Sequence, residues 1–471
     1  MRHGTKIYRT KSLAKDYETV ISTRIVNRHY YNFNLNLKFV NAGNNSLKFF
    51  YSKSFCLIAF VILTILLVPH ADLAKVLAQA GGKVIATITV EDSPLWATYN
   101  PGNGLIYVPN DGSDSVTVIE QDNEVIDTVE VGDRPRDITH NPENGYVYVV
   151  NGGSGTLSVL NQDNEVIDTV NVGGFPCAAV YNPGNGLLYA TSGGFTGQLG
   201  NISVLNQDNE VIDTVEAGEG PCEMGYNPLN GYMYVGNLHS ATVTVVNQDN
   251  EVIDTVNVGG FPRSLVYNSG NGFMYVVSQD TDTVTVIDEN NDVVETITVG
   301  DEPIDTVYNP GNGFMYVTNA ISNTTSVINQ DNEVIDTVNV EGIPTGLTYN
   351  PDNGFIYVAN TFSNSVSIIN QDNEVIDTVN VGDFPFSITY NGGNKYLYVV
   401  NSGEPGAGTV SVIGTLIPPF SGILGSGNNI NIQSQENSGD IVGGQPSFGG
   451  TYSDSPILQG QTAEQDSQLV S

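Results

Sequence analysis

The stretch FPFSITYNGGNKYLYVVN at 384–401 is one copy of a unit that recurs eight times between residues 83 and 416. A variable loop and a TVSVI segment follow it, and in most copies NQDNEVIDTVNVG comes next. The copies are anchored on prolines that lie 41 residues apart, except for one gap of 45: Pro94, Pro135, Pro176, Pro221, Pro262, Pro303, Pro344 and Pro385. A fixed period near forty residues predicts a repeat architecture.

Each unit predicts four short antiparallel strands. In the second unit, the segments 137–141, 146–151, 156–160 and 165–172 alternate apolar with polar residues and are rich in Val, Ile, Thr and Tyr. The turn sequences NPENG and QDN, which lie between these segments, supply the reversals. Because one such sheet cannot bury both faces alone, successive sheets must stack, and a ring of stacked sheets is a β-propeller.

The two ends of the array predict how the ring closes. Residues 83–90 (KVIATITV) match the fourth strand of a unit that has no first three strands, and the last unit supplies only three, at 387–391, 396–401 and 409–413. We therefore predict an all-β propeller of eight four-stranded antiparallel blades, one of them shared by both ends, which removes an exposed sheet edge. A seven-bladed ring is the alternative, and it would leave 83–90 without a partner.

The amino-acid sequence of the second predicted strand resembles that of a known family. It reads YVTN at 316–319, and close variants stand at 107–110, 148–151, 234–237, 357–360 and 398–401. This is similar to the YVTN family of β-propeller repeats, found in archaeal and bacterial cell-surface proteins and in secreted propellers. The resemblance covers residues 83–416 and implies the fold, whereas propellers host many unrelated activities.

The composition divides the chain into four regions. Residues 1–54 form a basic, polar leader, and 55–80 contain an uncharged apolar run, FCLIAFVILTILLV, followed by Ala-Gln-Ala. That order is typical of a secretory signal, and the run is short for a membrane span. The repeats occupy 81–416, and 417–471 are rich in Gly, Ser, Asn and Gln, as expected of a disordered tail. We expect export with cleavage after Ala80; an uncleaved membrane anchor is the alternative.

The predicted propeller is strongly acidic. From residue 81 onward the chain has 48 acidic and five basic residues. Such a body repels phosphate backbones, so we expect no nucleic-acid partner. The acidity suits a soluble protein outside the cell or in the surface layer, and we expect contact with a membrane only through an uncleaved N-terminal segment.

A comparison of the eight copies with one another separates two rims of the ring. The NPGNG and QDNEV turns hardly change, and we call their side the constant rim. The loop that enters each unit around its proline and the loop after YVxN differ from copy to copy and define the varying rim. In similar propellers ligands bind at this face and at the mouth of the channel.

Charged residues beside the prolines are candidate ligand-binding residues on the varying rim: Arg134, Arg136, Glu223, Arg263 and Asp305. Arginine suits bidentate contact with a carboxylate or phosphate. The alternative is that each arginine pairs with a neighbouring acid, such as Asp133 or Asp137.

Cysteines and sequons suggest covalent features. Cys177 and Cys222 directly follow the anchoring prolines of adjacent units, so a disulfide is one prediction and two free thiols the other. Asn201 and Asn323 begin glycosylation sequons.

No catalytic constellation or cofactor motif stands out in the repeats. His140 and His239 are their only histidines, too few for a copper or haem site, and no paired catalytic acids are apparent. The Asp-rich loops at 111–115 and 280–283 offer oxygen ligands to calcium, but neither fits a known loop spacing. The residues therefore favour a non-enzymatic binding scaffold for a protein or glycan, with a lactonase-like or lyase-like propeller enzyme as the alternative.

Overall fold

The computed structural model describes residues 18–26, 32–40, 82–193, 196–403 and 408–414. Its main body is a ring of eight four-stranded antiparallel sheets, which confirms the predicted fold class and blade number. Consecutive first strands contact one another around the ring, and the last contacts the first. The first strands therefore surround the central channel.

The strands are grouped here by their place in the blade. The first strands, in order around the ring, are β4 Thr98–Asn100, β8 Pro135–His140, β12 Ala179–Asn182, β16 Pro221–Asn227, β20 Pro262–Asn268, β24 Pro303–Asn309, β28 Pro344–Asn350 and β32 Pro385–Tyr390. The second strands are β5 Leu105–Asn110, β9 Val147–Asn151, β13 Leu187–Ser192, β17 Tyr232–Asn237, β21 Phe273–Ser278, β25 Phe314–Asn319, β29 Phe355–Asn360 and β33 Tyr396–Asn401.

The third strands are β6 Ser115–Ile119, β10 Thr156–Leu160, β14 Leu199–Leu205, β18 Thr242–Val246, β22 Thr283–Ile287, β26 Thr324–Ile328, β30 Ser365–Ile369 and β34 Thr409–Gly414. The fourth strands are β7 Val125–Glu130, β11 Val166–Asn171, β15 Val211–Glu219, β19 Val252–Asn257, β23 Val293–Thr298, β27 Val334–Asn339, β31 Val375–Asn380 and β3 Lys83–Thr89. Two short 3-10 helices, Gln279–Thr281 and Thr361–Ser363, lie in loops of the varying rim.

Both chain ends build the eighth blade, as the sequence predicts. Strand β3 pairs with β34, from Lys83 opposite Gly414 to Thr89 opposite Thr409. Gly414 also pairs with Tyr396, directly after a turn of the constant rim. The described body therefore begins and ends side by side at the constant rim.

The hydrophobic core consists of eight separate layers, one between each pair of neighbouring blades. The layer that closes the ring contains Ile88 from the N-terminal strand, Val410 from the last strand and Ile106 from blade 1. Second and third strands are largely buried, whereas the fourth strands lie at the perimeter and are mostly exposed. Closure therefore depends on the same packing as every other blade contact.

The turns of the constant rim form hydrogen bonds between blades. A fully buried tyrosine of each second strand accepts a hydrogen bond from the turn asparagine four residues earlier, as in the 2.9 Å pair of Asn144 with Tyr148. In seven blades the same hydroxyl donates to the asparagine of the QDN or equivalent turn in the next blade; the acceptors, in order around the ring, are Asn164, Asn209, Asn250, Asn291, Asn332, Asn373 and Asn123. The near-identical turns are therefore explained by a contact that recurs at seven of the eight junctions between blades.

Tyr357 of blade 7 is the exception. Its hydroxyl accepts from Asn353, but within the described residues it donates to no asparagine of blade 8. In the other blades this asparagine lies in the turn that joins the third strand to the fourth. In blade 8 the third strand is β34 and the fourth is β3, which are far apart in sequence, so no such turn joins them.

The tyrosines of the first strands, at 99, 181, 226, 267, 308, 349 and 390, are partly buried. Most pack against the core layers between blades, as in the contacts of Tyr181 and Tyr390. Two also donate to carboxylates of the preceding blade: Tyr181 to Glu143 at 2.7 Å and Tyr390 to Asp352 at 2.6 Å. They therefore contribute to contacts between blades.

The other predicted regions are only partly covered by the structure. Strands β1 Glu18–Val26 and β2 Asn32–Val40, within the basic leader, form an antiparallel hairpin. The apolar segment 55–80 and the tail 417–471 lie outside the described residues. Within the part of the chain that is described, none of the helices has the length and apolarity needed for a membrane crossing.

Candidate functional site at the channel mouth

The candidate residues lie on a set of β-bulges at the varying rim. In most blades the anchoring proline pairs with the last residue of the second strand, and the register then shifts immediately after it. Arg136, Glu223, Arg263 and Asp305 are all among these bulge residues. Bulges re-aim side chains. We call this set of positions, one or two residues after each proline, the bulge ring.

The residue before each anchoring proline, here named the entry residue, has a positive φ in every blade. The eight are Ser93, Arg134, Phe175, Gly220, Phe261, Glu302, Ile343 and Phe384. This conformation is uncommon for non-glycine residues, and such residues concentrate at functional sites. Sequence reasoning recognised that this loop varies but not that the fold holds it in one unusual conformation.

The backbone of the entry residues is fixed on both sides. In four blades an Asp or Asn of the preceding blade accepts from the entry amide, as in the 3.0 Å bond from Phe384 to Asn364. The entry carbonyl accepts from the loop after the second strand, as in the 2.9 Å bond from Thr361 to Ile343. The side chain is thus the part of this loop that is free to differ between blades.

Arg134 and Arg136 share one carboxylate. The Nε atoms of Arg134 and Arg136 each lie 3.5 Å from an oxygen of Asp111, which belongs to the loop of the preceding blade. Both arginines pair with Asp111 rather than with Asp133 or Asp137, because neighbouring blades bring these loops together. Asp114, which accepts the Arg134 amide at 2.8 Å, and the exposed Asp133 add further carboxylates here, so acids outnumber the two arginines.

Arg263 differs from the other two arginines. Its side chain is exposed, and among the described residues it has no carboxylate within ion-pair distance. Arg263 is nevertheless close enough to Glu223 to oppose the rise of that residue's pKa. The two residues belong to adjacent blades and give the bulge ring both an acid and a base.

Three carboxyl groups occupy equivalent positions, two residues after the proline, in alternate blades. Asp137 accepts from the Ala179 amide of the next blade at 3.0 Å. Asp305 accepts from Ser264 of the preceding blade at 2.9 Å and from the Leu347 amide of the next at 3.4 Å. Asp137 and Asp305 therefore clamp neighbouring blades, a role that sequence reasoning missed because the partners are some forty residues away.

Glu223, the third, has no such hydrogen bond among the described residues. Burial, together with the charges of Asp137 and Asp305, raises the pKa of Glu223 to about 8. Burial also raises the pKa of Asp305 to about 6, against the lowering effect of its hydrogen bonds. Glu223 is therefore mostly a neutral acid at pH 7, able to donate a hydrogen bond into the channel mouth.

Cys177 and Cys222 form a disulfide between blades 3 and 4, with their Cα atoms 4.9 Å apart. The bond lies in the bulge ring, directly beside Glu223. It thus fixes two neighbouring inner strands at the channel mouth.

Aromatic residues form a part of this face that sequence reasoning missed. Trp96 and Phe386 meet edge to face at 5.4 Å, across the junction of blades 1 and 8. Phe362 and Phe384 meet in the same way at 5.7 Å, between blades 7 and 8. The sequence does contain an indication of this aromatic surface, because Phe precedes three anchoring prolines. Only the loop geometry shows that side chains at this position meet those of neighbouring loops.

The remaining candidates have mostly structural contacts. His140 replaces a first-strand tyrosine; its Nε2 is buried without a hydrogen bond, and burial lowers its pKa. In the two Asp-rich loops, Asp114 and Asp282 accept entry-residue amides. Among the described residues, Glu120, Asp122 and Glu124 have carboxylate oxygens within 4.8 Å of one another, on the constant rim rather than in either loop. Calcium binding stays a prediction.

Both sequon asparagines are exposed. Asn323 accepts from the Ile343 amide at 2.7 Å. The third sequon residues, Ser203 and Thr325, are buried in strands. Glycosylation at these sites stays a prediction.

No protein-family model matches the chain, and a search of curated proteins gives no match. Among solved structures, a streptogramin B lyase is 11% identical and covers 71% of this chain and 99% of its own, with a TM-score of 0.49. A hydrazine synthase from Kuenenia stuttgartiensis is 17% identical over 70% of this chain and 97% of its own, also with a TM-score of 0.49. Virginiamycin B lyase from Staphylococcus aureus is 10% identical over 69% and 99%, with a TM-score of 0.46. Similarities this low carry no argument about activity, and the likeness to YVTN repeats stays a prediction.

Proposed function

We propose that this protein is an exported, cell-surface or envelope propeller of the YVTN type that binds a protein or glycan through its varying rim and does not act as an enzyme. The observation that carries the proposal is the separation of two faces. The side chains that differ between blades lie on one rim, whereas Lys83 and Gly414 pair at the other. A propeller tethered at its ends would thus present the varying rim outward.

The composition and the disulfide support the export part of the proposal. The acidic body suits a soluble exposed surface. A disulfide between Cys177 and Cys222 persists in an oxidising compartment. The N-terminal sequence of the mature protein tests this part: we expect it to begin at Gly81, and a mature protein beginning at Met1 would contradict cleavage.

Oriented immobilisation tests the binding part. A single biotin is placed through Leu229→Cys on the constant rim or through Ser322→Cys on the varying rim, and each protein is offered isolated cell envelopes of its host. We expect binding only when the protein is held by its constant rim. Equal binding in both orientations would contradict the proposal.

One observation favours the enzyme alternative. Glu223, protonated near neutral pH beside Arg263, has the properties of a general acid. A screen of lactones with the purified protein tests this, with Glu223→Gln as the matched variant. Turnover that is lost in Glu223→Gln would replace the scaffold proposal with an enzyme; we expect no turnover in either protein.

A further inference from the structure

The fourth strand of each blade is the outer edge of its sheet, and within the described residues no further strand pairs with it. Six of these outer edges share the sequence VIDTV. Each of the six begins with Val and Ile, as at Val252 and Ile253, which are both 42% exposed. Unpaired edges rich in β-branched residues are templates for pairing with another chain.

One amide near the middle of each outer edge faces away from the blade. In blade 1 the Val131 amide donates inward, to the Asp114 carbonyl at 3.0 Å. Inward and outward amides alternate along an antiparallel strand, so Thr128, three residues earlier, directs its amide outward. Equivalent inward bonds of Val299 and Val90 set the same alternation in blades 5 and 8.

An aspartate side chain occupies this outward amide in six blades, an arrangement that we call the edge cap. The Oδ1 atom of the aspartate accepts from the amide of the threonine that follows it, as in the 2.7 Å bond at Asp254. The six capping residues are Asp127, Asp168, Asp213, Asp254, Asp336 and Asp377. A strand approaching this edge would present a carbonyl oxygen to the amide and would meet a carboxylate instead.

Blades 5 and 8 differ from the other six at this position. Blade 5 has Glu295 before Thr296, and blade 8 has Ala86 before Thr87. Within the described residues, neither of these threonine amides is bonded to the side chain before it. The edge cap thus depends on the length of the aspartate side chain and not on acidity alone, and only two of the eight outer edges are without it.

We infer that the edge caps prevent copies of this protein from joining through their outer edges. The partner that they exclude is a second copy of this chain, because six VIDTV edges on one molecule would each find the same edge on another and link many molecules. Charge repulsion between the acidic bodies is screened beyond about 8 Å at physiological ionic strength. The edge cap acts within hydrogen-bond distance, and its role is independent of what the varying rim binds.

The test separates the hydrogen bond of the edge cap from its charge. All six capping aspartates of the full-length protein are replaced together, by alanine in one variant and by asparagine in the other. Both variants lose six negative charges, but asparagine keeps a side-chain oxygen that accepts from the threonine amide. Light scattering over a series of protein concentrations measures association, and melting temperatures establish that each protein is folded.

We expect the alanine variant, with eight uncapped edges instead of two, to form large assemblies. The concentration at which it associates should be about tenfold or more below that of the wild type. The asparagine variant should behave as the wild type does. If the six-fold variants do not fold, Asp254→Ala and Asp254→Asn test one edge, and only Asp254→Ala should associate more than the wild type.

Two outcomes of this experiment would overturn the inference. Equal association of the alanine and asparagine variants would assign the effect to charge, and no increase in either would show that the edges need no protection.

A second measurement examines the edge cap itself at constant charge. Glu295→Asp should supply an edge cap in blade 5 and slow hydrogen exchange at the Thr296 amide, whereas Asp254→Glu should speed exchange at Thr255. Unchanged exchange in both variants would show that the aspartate does not hold the amide.

Discussion

The two rims of the propeller are built from the same repeat but use it in opposite ways. On the constant rim, side chains such as Tyr316 and Asn373 bond one blade to the next, so the residues at these positions recur around the ring. On the varying rim the backbone forms many of the repeated bonds, as at Ile343 and Phe384, and the side chains differ. Residue identity therefore recurs from blade to blade where side chains form the bonds between blades. It varies where the backbone forms those bonds.

The largest effect is expected from breaking the contact that completes both rims. Deleting 82–89 removes strand β3, including the buried Ile88, and leaves the edge of β34 unpaired. Burial of apolar side chains and a strand's hydrogen bonds together predict a loss of about 5 kcal/mol or more in the free energy of unfolding. Denaturant titration measures it; an unchanged midpoint would contradict closure by the chain ends.

A second prediction concerns the channel mouth, where the varying rim does affect stability. The folded protein keeps the Glu223 proton up to about pH 8, whereas the unfolded chain loses it near pH 4.5. Because the folded state binds more protons in this window, stability should fall as the pH rises from about 5 to 8 and level off above it.

Asp305, with its pKa raised to about 6, adds to the lower part of that fall. Melting temperatures measured across this range should decline less in Glu223→Gln than in the wild type, chiefly above pH 6. Parallel curves for the two proteins would show that Glu223 is not responsible.

The disulfide gives a smaller expected effect. Replacing Cys177 and Cys222 with serine removes a link across 45 residues and should cost about 2–4 kcal/mol. Reductant should lower the midpoint of the wild type to the same extent and leave the double variant unchanged. A reductant effect on the variant would assign the loss to another cause.

The smallest predicted effect compares two tyrosines of the constant rim. Tyr316→Phe removes a hydroxyl that donates to Asn373 at 2.8 Å across the blade junction, and it should cost about 1–3 kcal/mol. Tyr357→Phe removes an equally buried hydroxyl whose hydrogen bond, from Asn353, lies within its own blade. We expect the smaller loss for Tyr357→Phe; equal losses would remove the inter-blade bond as the explanation.

Most of the fold could be predicted from the sequence because the relevant interactions recur at a fixed period. The predicted strand 396–401 and the third strand 156–160 coincide with those observed. The first strand of the second blade begins at Pro135 rather than at Asp137, because the proline pairs with Asn151 across a bulge. A bulge interrupts the alternation of apolar and polar residues, so the alternating pattern did not mark the start of this strand.

The candidate site could be placed on the correct rim but not assembled. The clamp from Asp137 to Ala179 and the pairing of Arg136 with Asp111 join different blades, and no local pattern encodes which loop faces which. The raised pKa of Glu223 likewise depends on burial and on charges from two other blades. Sequence reasoning located the variable positions, and the ring geometry decided their contacts.

The central claim is that the recurring side chains of the constant rim join the blades, whereas the exposed side chains that differ on the varying rim serve binding. Melting temperature and affinity for isolated cell envelopes of the host, measured together for Tyr316→Phe and Phe362→Ser, test it most directly. The account predicts that Tyr316→Phe lowers the melting temperature and leaves the affinity unchanged. Phe362→Ser should leave the melting temperature unchanged and lower the affinity. Variants that each change both quantities to a similar degree would contradict it.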